Sequence, residues 1–341
     1  MRVLVTGHLG YIGAVLVPRL ATLGHEVHGL DTGLYDGCDF GPAPIGIPEF
    51  RLDVRDVETR HLDGFDAVIH LAALSNDPLG DVDPELTYDI NYRASVRLAS
   101  CAREAGVGRF LFSSSCSLYG AAGEAPLGEG SGFAPQTPYG ESKILAEQDL
   151  TKLATADFSP VYLRNATVYG ASPRLRCDLV VNNLVGYALT TGEVLLKSDG
   201  TAWRPLVHVE DVCAAFEALL VAPREIVHDR AFNVGRPDEN YRIRDVARIV
   251  EETVEGTRVR IEAGASVDTR NYRVDFGRIT SEVPAFAPRW SVAEGARQLF
   301  DAYRTHGMTS ERFESARFFR IRTVRARQAA GTLGADLRPA S

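Results

Sequence analysis

The spacing of apolar residues changes more than once near the start of the chain. Residues 3–5 ("VLV") form a continuous branched run, which favours a strand covered on both faces, as in a parallel sheet. From Ile12 to Leu23 apolar residues recur at helical spacing, and the segment that ends at Asp31 is again strand-like. Further along, the pattern predicts strands over 66–74 and 109–120 and helices over 88–107 and 137–150. This alternation predicts an α/β fold with a doubly wound parallel sheet.

Three glycines separate the first predicted strand from the first predicted helix, in "VLVTGHLGYIGAVL" (3–16). Gly7 permits a tight turn, Gly10 lets the backbone approach a ligand, and Gly13 allows the helix to pack against the strand. The helix N-terminus is then open to a pyrophosphate, whose charge is stabilised by free N–H groups and the helix dipole. A plain turn also explains three glycines, so the dinucleotide-binding (Rossmann) interpretation depends on the residues that follow.

Asp31 ends the second predicted strand, about 20 residues beyond the glycines, where an acidic side chain can bind the adenosine ribose hydroxyls. Its charge would repel a 2′-phosphate, and residues 32–37 ("TGLYDG") contain no Arg or Lys to neutralise one. We therefore expect NAD rather than NADP. The alternative is that Asp31 is an ordinary turn residue at a strand end.

Two further strand ends carry candidate cofactor contacts. Ala72 and Ala73 follow the strand over 66–74 and leave room for a flat ring. Asp53, in "RLDVRD", is placed where it could accept a hydrogen bond from an adenine amino group. A surface aspartate is an equally good interpretation of Asp53.

Tyr139 and Lys143 are four residues apart in the helix predicted over 137–150, so both project from one face. A phenol titrates near 10, and bringing it to about 7 requires roughly 4 kcal/mol of preference for the phenolate. The Lys143 ammonium and a positively charged nicotinamide ring could supply that preference. Tyr139 would then be a general base near neutral pH.

Ser115 lies in the polar turn in which the strand predicted over 109–120 leaves the sheet, and it completes this set. Its hydroxyl can bond a substrate oxygen and stabilise charge as the proton leaves. A Tyr-x-x-x-Lys pair occurs by chance on many helices. After a glycine-rich nucleotide site and a serine-rich strand end, the catalytic interpretation is favoured.

Composition and charge exclude several classes of protein. The chain has 37 basic and 45 acidic residues, a formal charge of -8, so its field repels nucleic acid. Its five cysteines are an odd number without C-x-x-C spacing, which argues against a disulfide framework and a metal site. No apolar run reaches about 18 residues and no export signal precedes the first strand. We expect a cytoplasmic protein without membrane or nucleic-acid partners.

Several motifs together resemble one enzyme family. "TGHLGYIG" follows the first strand, and "HLAA" (70–73), "SSSCSLYG" (113–120) and "YGESK" (139–143) follow in that order. The set resembles the extended short-chain dehydrogenase/reductase family, in particular its NAD-dependent sugar-nucleotide epimerases and dehydratases. Later motifs agree, namely "LRNATVYG" (163–170), "RPLVHVEDV" (204–212) and "FNVG" (232–235). The resemblance implies NAD, a nucleotide-diphosphate sugar and a homodimer.

The resemblance also implies site residues. Asn91 matches a helix asparagine that holds active-site backbone and water, Asn183 an amide that binds the diphosphate of the sugar nucleotide, and Arg204 an arginine at the same nucleotide. Arg174, Arg176 and Arg270 are further anion ligands or ordinary surface residues. The predicted cofactor-binding residues are Gly7, Gly10, Tyr11, Ile12, Gly13, Asp31, Asp53, Val54, Leu71, Ala72, Ala73, Asn91, Tyr139 and Lys143. The predicted substrate-binding residues are Ser75, Ser117, Asn165, Asn183, Arg174, Arg204 and Arg270.

Departures from the family pattern bear on the reaction. His8 stands where a small residue is usual, so packing against the pyrophosphate is expected to differ. Sugar dehydratases of the family share an Asp-Glu pair shortly before the tyrosine that corresponds to Tyr119. The Asp is three residues and the Glu two residues before that tyrosine. In this chain Cys116 and Ser117 occupy the two positions. Water elimination needs an acid and a base, and Ser117 suits neither. Cys116 is either an acid or base at carbon or a small buried residue.

The function predicted from sequence is an NAD-dependent nucleotide-sugar epimerase, with Ser115, Tyr139, Lys143 and conceivably Cys116 as catalytic residues. A nucleotide-linked keto-sugar reductase is the first alternative, and a dinucleotide-sensing protein without turnover is the second. Residues 1–168, with 201–235 returning to them, are expected to form the Rossmann domain. Residues 169–200 and 236–315 are expected to form a smaller C-terminal α/β substrate domain, and 316–341 a surface helix or subunit contact with a tail.

Overall fold

The computed structural model describes residues 1–75, 83–120, 125–266 and 271–340. Its strands are β1 (Arg2–Thr6), β2 (Glu26–Asp31), β3 (Glu49–Arg51), β4 (Ala67–His70), β5 (Arg109–Ser115), β6 (Pro126–Leu127), β7 (Ser159–Asn165), β8 (Thr167–Tyr169), β9 (Glu193–Ser198), β10 (Trp203–His208), β11 (Arg230–Val234), β12 (Asn240–Arg242), β13 (Arg258–Ser266) and β14 (Arg273–Val274). Its α-helices are α1 (Gly13–Thr22), α2 (Pro84–Tyr88), α3 (Ala94–Glu104), α4 (Pro138–Thr151), α5 (Val180–Thr191), α6 (Val209–Val221), α7 (Arg224–Val227), α8 (Ile243–Thr253), α9 (Gly277–Glu282), α10 (Val292–Thr305), α11 (Ser310–Glu314) and α12 (Arg320–Ala329). Within these residues no helix has the length and apolar character needed to cross a lipid bilayer.

The central sheet has the strand order β11-β7-β5-β4-β1-β2-β3. Every neighbouring pair in it is parallel. The chain moves outward from β1 in both directions, so the order reverses between β1 and β4. Ligands of such sheets bind beyond the carboxyl ends of the strands at this point. The predicted doubly wound α/β fold is confirmed.

Helices cover both faces of this sheet, because the strands are apolar on both sides. On one face, α1 and α6 pack against β1, β5 and β7 in a common apolar cluster. On the other face, α3 and α4 pack in a second cluster with Leu4, Val68 and Phe110. The sheet is therefore buried between two layers of helix, as parallel sheets require.

A third apolar cluster lies outside the two that cover the sheet. It contains residues of α5, α8 and α10 together with β9 and β10. Residues 236–315 were expected to belong to the substrate domain, but residues 272–286 pack elsewhere. Tyr272, Phe276 and Ile279 belong to the cluster around β1 and β7. Their large apolar side chains are buried there against the first half of the chain.

Some predicted elements end earlier than their apolar pattern suggests. The strand predicted over 66–74 ends at His70, and the one predicted over 109–120 ends at Ser115, followed by a 3₁₀ turn over Cys116–Tyr119. The apolar and small residues beyond these strands are loop residues. The helix predicted over 88–107 contains a π turn over Asp89–Arg93 before α3.

The C-terminal segment is docked on the first half of the chain, with one face of its helix exposed. Val324 of α12 and the following Leu333 and Leu337 are buried in the apolar cluster that contains Leu4 and Val68. The alternation of basic and apolar residues in this segment therefore reflects one exposed and one buried face.

Candidate active site

The loop between β1 and α1 has the geometry of a phosphate-binding turn. Gly7 has a φ of +70°, and a Cβ on it would lie 2.7 Å from the backbone nitrogen of Ala72. A Cβ on Gly13 would lie 2.5 Å from the carbonyl oxygen of Gly7. No side chain caps the N-terminus of α1, so the positive end of its dipole is open to a ligand anion.

His8 points away from this loop. Its Nε2 lies 2.8 Å from Oε2 of Glu49, and its ring occupies the space beside Gly29, where a Cβ would be 2.4 Å from it. His8 is not among the residues that line the cleft described below. The expectation that it alters packing against the pyrophosphate is therefore wrong.

Asp31 lies at the carboxyl end of β2 and faces the cleft. Burial raises the pKa of its carboxyl group, while hydrogen bonds from the N–H groups of Gly33 (2.9 Å) and Leu9 (3.2 Å) oppose this shift. The carboxylate is thus held by backbone donors at a position suited to ribose hydroxyls.

Tyr11 joins the glycine loop to the second half of the chain. Its hydroxyl donates to the carbonyl oxygen of Gly170 at 2.6 Å and accepts a hydrogen bond from Nδ2 of Asn182 at 3.3 Å. The hydroxyl of Ser172 donates to the Tyr11 carbonyl oxygen at 2.8 Å. The two sides of the cleft are therefore fixed to each other at this loop.

A continuous cleft of about 1020 Å³ lies at the carboxyl ends of the strands. Pockets for one small molecule measure roughly 300–1000 Å³, so this cleft can hold a dinucleotide and a second ligand. The predicted residues that line it are Gly7, Gly10, Tyr11, Ile12, Gly13, Asp31, Asp53, Val54, Leu71, Ala72, Ala73, Ser75, Ser115, Ser117, Tyr139, Lys143, Asn165, Asn183 and Arg204. The structure thus brings most of the predicted site together.

Helix α4 presents Tyr139 and Lys143 to the cleft from consecutive turns. The helix begins after Thr137, whose hydroxyl accepts a hydrogen bond from the Gly140 N–H at 3.3 Å. Nζ of Lys143 donates to the Ser113 carbonyl oxygen at 2.8 Å and lies 5.6 Å from the centre of the Tyr139 ring. The expected spatial relationship of the two side chains is present.

Burial changes the electrostatics of Lys143. It lowers the pKa of the ammonium from 10.5 to about 7, and the carboxylate of Glu147, one turn further along α4, opposes the shift. In the protein without ligands, Lys143 therefore loses its proton more readily than an exposed lysine. The ability of Lys143 to acidify Tyr139 depends on the balance between burial and the charge of Glu147.

A buried ion pair lies behind Lys143 and was not predicted. Arg164 of β7 makes a two-pronged contact with Glu147, with an Nη2 to Oε2 distance of 2.6 Å. Ser114 donates to the same carboxylate at 2.5 Å. The available sequence signals were a charged residue within the apolar run of β7 and a glutamate four residues after Lys143.

Ser115 and Ser117 meet at the end of β5. The hydroxyl oxygen of Ser115 accepts a hydrogen bond from the Ser117 N–H at 3.1 Å, so its own proton can be donated to a ligand. The Ser117 hydroxyl and the Asn165 amide oxygen are buried without a hydrogen-bond partner among the described residues. Both residues line the cleft, where a polar ligand could pair with these atoms.

Other predicted residues do not reach the cleft. Cys116 is buried under the 3₁₀ turn, where its thiol donates to the Arg164 carbonyl oxygen at 3.1 Å and burial raises its pKa well above the ordinary value. Arg174 pairs with Asp39 at 3.1 Å and donates to the Tyr35 carbonyl oxygen at 2.7 Å. The structure therefore supports the buried alternative for Cys116, and it gives Arg174 a loop-holding position in place of the predicted contact with an anion.

Asn91 acts on the backbone of the cleft wall. Its amide accepts from the Leu74 N–H at 2.8 Å and donates to the Leu74 carbonyl oxygen at 3.0 Å. The π turn that contains it directs this side chain inward. Asn91 thus supports the loop after β4 and does not itself line the cleft. Arg270 lies outside the described residues.

Sequence reasoning missed several residues of the cleft wall, namely Tyr35, Arg55, Arg320 and Leu337. Arg176, which was left open, also lines it; Nη1 donates to the Ser75 hydroxyl at 3.0 Å and Nη2 pairs with Asp178 at 2.9 Å. Arg320 and Leu337 come from the C-terminal segment, and no local sequence signal shows that this segment packs beside the cleft.

The residues present fit NAD. The glycine loop leaves no room for a Cβ at Gly7 or Gly13, and the N-terminus of α1 beside it has no side-chain cap. Asp31 lines the cleft at the end of β2, where an acidic residue suits the ribose. Ala72 and Ala73 line the same cleft beside the glycine loop, as predicted for a flat ring.

Curated relatives are named as epimerases. A UDP-glucose 4-epimerase of Streptomyces lividans is 36% identical over 161 residues, which are 45% of this chain and 47% of that protein, so the match spans about half of its length. A UDP-glucose 4-epimerase of Neisseria meningitidis serogroup A is 30% identical over 264 residues, 68% of this chain and 77% of that protein.

Solved structures include a dehydratase and a complex with UDP-glucose and NAD. TunA, an NAD-dependent NDP-hexosamine 5,6-dehydratase involved in tunicamycin biosynthesis, has a TM-score of 0.79 and 26% identity over 89% of this chain and 98% of that chain. MoeE5 in complex with UDP-glucose and NAD has a TM-score of 0.77 and 28% identity over 89% and 99%. These similarities confirm NAD as the cofactor.

The model of the NAD dependent epimerase/dehydratase family matches residues 3–235, which contain the glycine loop, Asp31 and the Ser115, Tyr139 and Lys143 set. The resemblance inferred from the motifs is confirmed. This chain therefore belongs to the NAD dependent epimerase/dehydratase family.

Proposed function

We propose that this protein is a nucleotide-sugar epimerase that oxidises a sugar hydroxyl to a transient ketone and reduces it again from the opposite face. The observation that carries the proposal is that Ser115, Tyr139 and Lys143 share one cleft with the glycine loop and with Asn183 and Arg204. One continuous cleft thus contains the cofactor site, the proton-transfer groups and the residues matched to nucleotide-sugar binding.

Each residue of the set has a role in this chemistry. Tyr139, as phenolate, accepts the proton of the sugar hydroxyl and returns it when the ketone is reduced. Lys143 stabilises the phenolate by its charge, and Ser115 donates a hydrogen bond to the reacting oxygen. Bound NAD supplies the acceptor and donor of the hydride. The number of protons and electrons in the sugar is the same before and after, so no net redox change results.

Dehydration is the competing reaction within the family. Removal of water requires an acid for the leaving hydroxyl and a base for a carbon-bound proton. Ser117 lines the cleft at one of the two positions concerned, and Cys116 at the other is buried away from it. Neither offers a carboxylate, and this favours epimerisation.

The names of the relatives support one substrate class. Because curated relatives are named as UDP-glucose 4-epimerases, we propose a UDP-linked hexose with inversion at C4 as the first substrate to test. Asn183 and Arg204 would contact the diphosphate, since amide and guanidinium donors suit phosphate oxygens.

The test is incubation of the purified protein with UDP-glucose and then with a panel of nucleotide sugars, followed by NMR of the product in deuterated water. An epimer without deuterium at carbon, with bound NAD retained and no NADH consumed, is the expected result. Stoichiometric NADH oxidation with a 4-keto sugar would instead identify a reductase. An unsaturated or deoxy-keto product would identify a dehydratase, and binding without turnover a sensor.

A further inference from the structure

Arg320, the first residue of α12, forms part of the cleft wall. It is only 4% exposed, and its guanidinium carbon lies 3.8 Å from the centre of the Tyr35 ring. Phe319 and Leu337 line the same cleft. The C-terminal segment therefore contributes a charged group and apolar surface to the cleft.

The charge of Arg320 is not balanced within the part of the chain that the structure describes. Its Nη2 donates to the Arg174 carbonyl oxygen at 3.2 Å, but its Nη1 is buried without a partner. Arg174 and Arg176 differ in this respect, because they pair with Asp39 and Asp178. A buried guanidinium without an anion is destabilising, so a ligand anion is the natural partner.

The path of α12 places Arg320 on the adenosine side of the cleft. Arg327 of the same helix donates to the carbonyl oxygens of Asp36 at 2.9 Å and Gly33 at 3.5 Å. The Gly33 N–H in turn donates to the carboxylate of Asp31. The helix therefore runs along the loop that follows the ribose-binding position.

The residues after α12 cover the same side. Nη2 of Arg55 donates to the Asp336 carbonyl oxygen at 2.9 Å, and Arg338 forms a two-pronged ion pair with Asp56. Leu337, between these anchors, is buried and lines the cleft. The tail is thus held against the turn that carries the predicted adenine contact.

We propose that Arg320 binds the diphosphate of NAD and that residues 319–338 form the outer wall of the cofactor site. Arginine binds phosphate oxygens through paired N–H groups, and Nη1 is the donor that the protein leaves for this. A nucleotide sugar also carries a diphosphate, but the path of α12 beside Asp31 favours the dinucleotide. The inference concerns cofactor binding and does not depend on the reaction that follows.

The test measures binding to the full-length chain after bound nucleotide has been removed. Titration calorimetry with NAD, ADP-ribose, UDP and adenosine is applied to the wild type, Arg320→Gln and Arg320→Lys. Arg320→Gln should weaken NAD and ADP-ribose by about 10- to 100-fold, since hydrogen bonds to charged groups have this magnitude, and leave adenosine within about twofold. The NAD affinity of Arg320→Lys should fall between those of the wild type and Arg320→Gln, because lysine keeps the charge.

Arg325→Gln is the matched control, since Arg325 is an exposed residue of the same helix. It should bind all four ligands as the wild type does. Thermal unfolding without ligand should be unchanged or raised in Arg320→Gln, because an unpaired buried charge is removed. Unchanged NAD affinity, an equal loss for adenosine, or a loss confined to UDP would each overturn the proposal. None of these outcomes would decide between epimerase and dehydratase.

Discussion

Nζ of Lys143 lies 5.6 Å from the centre of the Tyr139 ring, one helical turn away, while it donates to the Ser113 carbonyl oxygen at 2.8 Å. That hydrogen bond fixes the position of the charge relative to the phenol. Because both side chains line the cleft beside Ser115, a proton can pass between a bound hydroxyl and the tyrosine without leaving the protein interior.

Replacement of Tyr139 by Phe should lower kcat by about 10²- to 10⁴-fold, because a general base contributes that much to proton transfer. The change keeps the ring and should leave bound NAD per chain unchanged after purification. The measurement is turnover of the nucleotide sugar identified in the panel. A variant with the rate of the wild type would exclude Tyr139 as the base.

Lys143→Met should stabilise the ligand-free protein, by about 1–4 kcal/mol at pH 6–7, since it removes a buried charge. The pKa of Lys143 is lowered from 10.5 to about 7, so between these values the unfolded wild type binds a proton that the folded one does not. Wild-type stability therefore rises with pH in this window, and the advantage of the variant should shrink towards pH 10. Chemical denaturation across this range measures the difference.

Lys152→Met is the control for that experiment, because Lys152 lies just beyond α4 and its side chain is 74% exposed. It should change stability little at any pH. If the advantage of Lys143→Met grew as pH rose, or if the variant were less stable than the wild type at pH 6, the assigned direction of the pKa shift would be wrong.

Gly7→Ala and Gly24→Ala separate backbone strain from steric conflict. Both glycines have positive φ, +70° and +83°, but only at Gly7 would a Cβ meet the backbone, 2.7 Å from the Ala72 nitrogen. We expect Gly24→Ala to lower the free energy of unfolding by about 1 kcal/mol and Gly7→Ala by about 2–4 kcal/mol. Only Gly7→Ala should also weaken NAD binding. Equal effects of the two substitutions would contradict the close approach at Gly7.

Cys116→Ala should leave turnover within about threefold of the wild type, because the thiol faces the protein interior and donates to the Arg164 carbonyl oxygen. Stability should fall by about 1–2 kcal/mol through loss of this bond and of packing. Cys213→Ala, at an equally buried cysteine of the same apolar cluster, is the control for packing alone. A loss of activity above tenfold in Cys116→Ala alone would restore a catalytic role for this residue.

The parts of the site that are local in sequence were predictable. The glycine loop, the strand ending at Asp31 and the Tyr139 and Lys143 pair each depend on spacing within one strand–turn–helix unit or one helix. Such spacing fixes which side chains share a face before any distant contact forms. These side chains all line the cleft.

The parts that depend on distant segments were not predictable in the same way. Arg174 and Arg176 are two residues apart in one irregular segment, and only the fold determines that Arg176 lines the cleft while Arg174 holds the loop at Tyr35. Cys116 and Ser117 are adjacent, and a 3₁₀ turn sends one inward and the other to the cleft. The position of Arg320 requires the C-terminal helix to pack on the opposite end of the chain, which no local period encodes.

Tyr11 donates a hydrogen bond to Gly170 and accepts one from Ser172, and these two bonds bear on how a sugar could rotate in the cleft. They join the glycine loop to the segment after β8, and we expect them to limit changes in the width of the cleft. In the proposed epimerisation, the keto-sugar would have to rotate within this cleft to present its second face to the cofactor. We expect the size of the sugar, more than any rearrangement of the polypeptide, to determine which substrates can make this rotation.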